Sequence, residues 1–279
     1  MSKQQKNIAE QKLSEVNNSS ELNRLVSLPP IAINEITHGD SLELTGCVSA
    51  KADLILEDMP YNTTNCDWDK EPIDLKRYWE SRMELIKPTG VICLTASQPF
   101  TTILASSNLV MLKYEWIWEK THPTQFAMVS KRPLKAHENI LVFSYMQPTY
   151  NPQMRKGEPN HSMGAIVNGG EINSNSQIKT KAVQSQQSEM KYPKSVQKFA
   201  NPREKDMHET QKPVGLFEYL IRTYTNEGDL VFDGFGGSGT TAVAAHKSKR
   251  NFIVIEKEKK YFDLAVRRLD IERAQYTML

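Results

Sequence analysis

Cysteine is scarce, with three in 279 residues, at positions 47, 66 and 93. Odd in number, widely spaced and without any C-x-x-C pair, they support neither a disulfide framework nor a structural zinc site. Long apolar runs are missing too, and none approaches the ~20 residues that span a bilayer. The opening Met1-Ser-Lys-Gln-Gln-Lys6 continues into polar residues without the apolar stretch of a signal peptide. Together these absences predict a soluble protein of a reducing cytoplasm, with no membrane contact. Charge of one sign is absent overall, 35 Lys and Arg standing against 33 Asp and Glu. There is no internal repeat.

What charge there is lies unevenly. Residues 151–206 hold nine Lys and Arg against five acids, a net of +4 that leaves −2 for the rest of the chain. A solvated polar loop and a phosphate-contacting surface both fit that excess. The texture changes over the same stretch, where Asn, Gln, Ser, Pro, Lys and Gly displace apolar anchors. The expected organisation is a polar N-terminal tail (1–30), a first half (31–146), an insert (147–206) and a second half (207–279).

Outside the insert, strand and helix patterns alternate. Asp53–Leu56, Val91–Leu94, Tyr114–Trp118 and Ile140–Phe143 read as strands, with helices over 73–87 and 99–108. Beyond the insert, Pro213 at a first helical position opens a helix with the face Leu216, Phe217, Leu220, Ile221 and Tyr224. A strand (229–233), a helix (239–249), a strand (252–256) and a closing helix (258–270), read as an outer solvated layer, follow. Such alternation predicts an α/β fold with an open, mostly parallel sheet and helices on both faces. Trp79, Trp116 and Trp118 are read as core. Lys131 and Arg132 are candidates for phosphate contact, with a solvated turn an equal reading.

The sharpest local pattern is Asp233-Gly-Phe-Gly-Gly-Ser-Gly-Thr-Thr241, between a strand and a helix. Glycines there let a ligand approach the backbone closely, and the helix start offers free N–H donors. Glu256, ending the next strand, places a carboxylate where it could hold two ribose hydroxyls. Read literally, Gly234-x-Gly236-x-x-Gly239 is a dinucleotide fingerprint, yet too little chain follows to complete that fold. Asp233 would also suit a cationic methionyl group better than a pyrophosphate. A P-loop is excluded because Thr240, not lysine, follows Gly239.

The second pattern is Asp58-Met-Pro-Tyr61, directly after a strand. An aromatic amine is a poor nucleophile because its lone pair is delocalised into the ring. Acceptors for its protons can hold the nitrogen pyramidal, and Asp58 with the carbonyl of Met59 or Pro60 would supply two. Tyr61 offers a face on which an extruded base can stack.

Here a resemblance emerges. Asp58-Met-Pro-Tyr-Asn-Thr-Thr-Asn-Cys-Asp-Trp-Asp69 resembles the catalytic segment of amino-group DNA methyltransferases, typically Asp-Pro-Pro-Tyr. Asp233–Thr241 resembles their cofactor loop, usually Asp-Pro-Phe-x-Gly-Ser-Gly-Thr. His208-Glu-Thr-Gln-Lys-Pro213 is similar to their His-Pro-Thr-Gln-Lys-Pro, and Lys131–Phe143, Tyr150–Met154 and Tyr192–Val196 are similar to further segments. The order, catalytic turn first and cofactor loop last, resembles the β class, in which the Rossmann-like sheet is circularly permuted.

The resemblance implies a site-specific enzyme that moves a methyl group from S-adenosylmethionine to the N6 amine of adenine in double-stranded DNA. It implies a catalytic turn of Asp58, Met59, Pro60 and Tyr61. The cofactor would be held by Asp40, Asp58, Thr210, Gln211, Lys212, Asp233, Gly234, Phe235, Gly236, Ser238, Thr240 and Glu256, with no metal. The insert 147–206 corresponds to a target-recognition region, and β-class relatives imply a homodimer. Asp at 58 favours adenine, cytosine-amino enzymes more often carrying Ser there. Two departures stand out. Met59 and Gly234 each replace a proline, which would loosen both turns and make a non-catalytic DNA-binding or partner subunit one alternative; cytosine-N4 transfer, with the chemistry kept, is another.

Overall fold

A computed structural model describes residues 29–61, 73–157, 189–202 and 211–277. Most of the polar tail, Cys66, Trp68, His208, Thr210 and the middle of the insert lie outside the described residues. Residues 152–194 belong to a second unit, whose described part includes an antiparallel pair of two-residue strands, β6 (Arg155–Lys156) and β7 (Met190–Lys191).

The main unit is built on an eight-stranded sheet in the order β1-β10-β9-β2-β3-β5-β4-β8. Its strands are β1 (Glu35–His38), β2 (Ala52–Glu57), β3 (Ile86–Ala96), β4 (Leu112–Thr124), β5 (Lys135–Phe143), β8 (Val196–Phe199), β9 (Leu230–Asp233) and β10 (Asn251–Glu256). The ladders are parallel except where β5 runs against β3 and β4. Leu54, Ile55 and Leu56 in β2 are all fully buried, as expected of a parallel strand covered on both faces.

Period-two alternation sorts those side chains into two cores. Leu54 and Leu56 face one core with α3 (Val214–Tyr224), α4 (Thr240–Lys247) and α5 (Lys259–Thr277). Ile55 faces the other, with α1 (Leu75–Leu85) and α2 (Phe100–Ser107). Helix α1 begins where the Asp74 carboxylate accepts from the Lys76 and Arg77 amides, an N-cap that satisfies two otherwise open donors. Pro213 is itself the N-cap of α3, not its first helical residue, because its ψ of 132° is extended. Trp79, Trp116 and Trp118 are core, and each indole N–H has an oxygen acceptor.

One strand adds to those the sequence predicts, and one further expectation needs correction. The four-residue β1 was not anticipated, and it joins the sheet beside β10. Helix α5 is more than a solvated layer, since Ala265 and Leu269 are buried and Arg268 donates to Ser238 and Thr240. No helix among the described residues is long and apolar enough to cross a membrane.

Candidate active site

The parallel strands β1, β2, β9 and β10 end at one edge of the sheet, where such folds place their ligands. A cleft of about 870 Å³ opens there, within the usual range for small-molecule sites. Asp58, Met59, Pro60 and Tyr61 line it from the turn after β2, and Asp40 from the turn after β1. Gln211 and Lys212 enter from the segment before α3. Asp233, Gly234, Phe235, Gly236, Ser238, Thr240 and Glu256 complete the opposite wall. Every expected site residue among the described ones therefore faces one cavity.

Asp58 holds donors on both oxygens. Its Oδ1 accepts from the Tyr61 hydroxyl at 2.5 Å and from the Thr95 hydroxyl. Its Oδ2 accepts from the Lys212 ammonium at 2.6 Å. Burial, reinforced by Asp58, pushes the Tyr61 phenol well above its ordinary pKa, so it stays a donor. One neighbour of the Tyr61 ring is Phe100, stacked at 5.5 Å, and the Lys212 ammonium sits 5.6 Å from the ring centre. Lys212 is buried, which alone would lower its pKa, but Asp58 and Glu138 together hold it above normal.

Glu138 was not singled out by the sequence. It lies near the start of β5, with Oε2 3.4 Å from Lys212 and Oε1 2.6 Å from Lys120. Burial would raise its pKa, yet Lys212 and Lys120 hold the carboxyl down at about 2. Lys135, 3.9 Å away, adds a third cation. Two carboxylates thus flank one buried ammonium beside the catalytic turn.

On the other wall the loop is ordered by its own carboxylates. Asp233 accepts from the Phe235 amide at 2.8 Å and from the Thr241 hydroxyl, and burial pushes it up to about 8. Glu256 accepts from the amides of Gly237 (2.6 Å) and Glu258 (2.7 Å), and burial raises its pKa as well. Asp40 caps the Leu42 amide at 2.9 Å and pairs with Lys257 at 3.1 Å. Gly239 adopts a left-handed φ of +77° just before α4, and a Cβ there would come within 2.9 Å of Ala265.

The two departures from proline have local reasons. The Met59 side chain is 2% exposed and packs in the α1–α2 core, fixing the turn by apolar contact. The Gly234 amide donates to Glu57 Oε1 at 2.9 Å, a bond proline could not make. A Cβ at 234 would stand 2.2 Å from Arg82 Nη2. Arg82 is fully buried and pairs with Glu57 at 2.8 Å, while the Tyr78 hydroxyl donates to the same carboxylate at 2.6 Å. At Gly234 a buried ion pair thus contacts the loop where the family's proline ring would stand.

Against this geometry stand the similarities to known proteins. A family model described as DNA methylase, of the N6/N4 type, matches residues 52–267. The chain is 28% identical over 269 residues to the type II methyltransferase M2.DpnII of Streptococcus pneumoniae, covering 85% of this chain and 90% of that one. It is 30% identical over 257 residues to the DNA adenine methyltransferase YhdJ of Escherichia coli, covering 85% and 82%. Among solved structures it is similar to an M1.HpyAVI–SAM complex, with a TM-score of 0.58, 25% identity and coverage of 84% and 99%. The cytosine-N4-specific PvuII DNA methyltransferase shares the fold at a TM-score of 0.59 and 17% identity, so the fold leaves the target base open.

Proposed function

This chain belongs to the N6/N4 DNA methylase family, and on that footing we propose that it methylates the N6 amine of adenine in double-stranded DNA. It is a DNA methyltransferase with S-adenosylmethionine as the donor. The donor set of the cleft fits that molecule: two carboxylates at strand ends, a glycine turn opening α4, and a buried carboxyl suited to a cation. When bound, S-adenosylmethionine supplies a sulfonium methyl group that the base nitrogen takes in an in-line displacement.

The residues of this chain do the rest. Glu256 and Asp40 would hold the ribose and adenine side, and Asp233, Gln211 and Lys212 the methionyl side. Tyr61 and Thr95 fix Asp58 Oδ1, which leaves Oδ2 to receive an amine proton of the base. That oxygen has a second lone pair beside the Lys212 ammonium, whose charge Glu138 Oε2, 3.4 Å away, also balances. The carbonyl of Met59 or Pro60 is the second acceptor. With its protons held on one side, the amine lone pair is directed toward the cofactor wall.

The observation that carries this reading is the meeting of Asp58 and the Asp233–Thr241 turn in one cleft. Adenine is favoured by the carboxylate at 58 and by the similarity to an enzyme named for adenine. The test is nucleoside analysis of unmethylated plasmid DNA after incubation with the protein and S-adenosylmethionine. N6-methyladenine is expected; N4-methylcytosine would overturn the choice of base, and an unmodified product the whole reading. Asp58→Ala is expected to abolish transfer with the calorimetric Kd for the cofactor within about threefold of wild type, a split that places the residue in the chemistry.

A further inference from the structure

Strands β4 and β5 form an antiparallel hairpin whose last pair is Thr124 with Lys135. Gln125 and Lys135 line the cleft, so residues 125–134 leave the sheet at its rim. This tip is a folded turn. Gln125 swings the chain out of β4 with a left-handed φ of 69°. The Met128 amide then donates to the Gln125 carbonyl at 3.0 Å, and the Val129 amide to Phe126 at 3.3 Å. The Lys131 and Arg132 amides both donate to the Met128 carbonyl, at 2.9 and 3.0 Å.

This turn presents two large apolar side chains to solvent. Phe126 is 62% exposed and Val129 59% exposed, beside exposed Lys131 and Arg132. Burying a phenylalanine is favourable, so a hydrogen-bonded turn that holds one in water forgoes that gain in the free protein. The pairing of large apolar groups with cations suits a polyanion with an apolar interior, which describes a base stack between phosphate rails.

The cleft imposes a further demand. Asp58 lies inside it with only 23% of its side chain exposed, so a base stacked in a duplex cannot reach it and has to be swung out. Extrusion leaves a gap in the stack, and apolar side chains inserted between base steps stabilise such gaps. Phe126 stands at the rim of the cavity that would receive the base, on a turn whose backbone is already fixed.

We propose that the 125–134 turn is a DNA wedge, with Phe126 entering the stack beside the extruded base while Lys131 and Arg132 hold the flanking phosphates. The inference rests on the reading of the cleft as a DNA methyltransferase site. Val129, one turn on, packs against the displaced base step.

The experiment begins with the full chain and unmethylated plasmid, whose methylated positions define a short duplex substrate. No transfer by the unaltered protein would end the reading of the cleft, and the wedge with it. Given transfer, Phe126→Ala is expected to lower kcat/KM on the perfectly paired duplex about tenfold or more. On the same duplex with a mismatched base opposite the acceptor, where extrusion is easier, the variant should return to within about threefold of wild type. Calorimetric affinity for S-adenosylmethionine should be unchanged. Equal rates of variant and wild type on the paired duplex would overturn the proposal, as would a defect that the mismatch does not relieve. Lost cofactor affinity would mark Phe126 as structural and overturn it too.

Discussion

Asp233 carries a proton linkage that solution measurements can read. Its carboxyl is 2% exposed and pushed up to about 8 by burial, with Glu57 adding to the rise. A sulfonium or ammonium group brought beside it favours the ionised form. Below pH 8 cofactor binding then expels a proton, and affinity rises with pH until it levels off above that value. The stability sign agrees. A carboxyl whose folded pKa is raised stabilises the free protein at low pH and loses that contribution as pH rises through about 8. The thermal shift produced by S-adenosylmethionine should therefore be larger at pH 9 than at pH 6. Calorimetry at pH 7 in buffers of different ionisation enthalpy should count the released proton, and Asp233→Asn should give a flat pH profile. A wild-type Kd that does not change between pH 6 and pH 9 would separate Asp233 from the cation.

At the level of elements, α1 and β2 are joined by a contact that also reaches the cofactor loop. Arg82 on α1 and Glu57 at the end of β2 are both fully buried, and Gly234 donates to the same carboxylate. Arg82→Met would strand that charge, a loss on the order of 3–5 kcal/mol to be measured by urea unfolding. The double variant Glu57→Gln/Arg82→Met should recover part of it, and a single-variant loss below about 1 kcal/mol would mean the pair is not coupled as described.

The same elements show what a sequence discloses. The strands and helices around β2, β9 and α3 were legible because burial on two faces writes apolar runs and 3.6-residue spacing directly into the chain. Asp58, Asp233 and Glu256 were legible because each sits at a strand end inside a local motif. Glu138, Lys135 and Gln125 were not. Glu138 and Lys135 lie on β5, which runs antiparallel to β3, so its start and not its end reaches the cleft; Gln125 follows the end of β4, its hairpin partner, and only the pairing reveals this. Glu57 was hidden differently, as a carboxylate at the end of an apolar run whose partners lie 25 and 177 positions away. β1, at four residues, is too short to write a period.

On the scale of the whole molecule, the two halves interleave. β1 and β2 come from the first half and flank β9 and β10 from the second. A chain cut at an engineered protease site within residues 158–188 should therefore elute as one species and still bind S-adenosylmethionine. Separation of the fragments on size exclusion in native buffer would show that the sheet does not hold them. The interleaving also governs how the molecule is made. Asn34 and Phe252, bonded through the turn that leads into β1, lie 218 positions apart. At ribosomal rates of ~5–20 residues per second, the opening strand waits on the order of 10–40 s for its partner to emerge. A chain released before residue 230 lacks Gly236, Glu256 and, among the described strands, any partner for β1, so neither the glycine turn nor the first edge of the sheet can form.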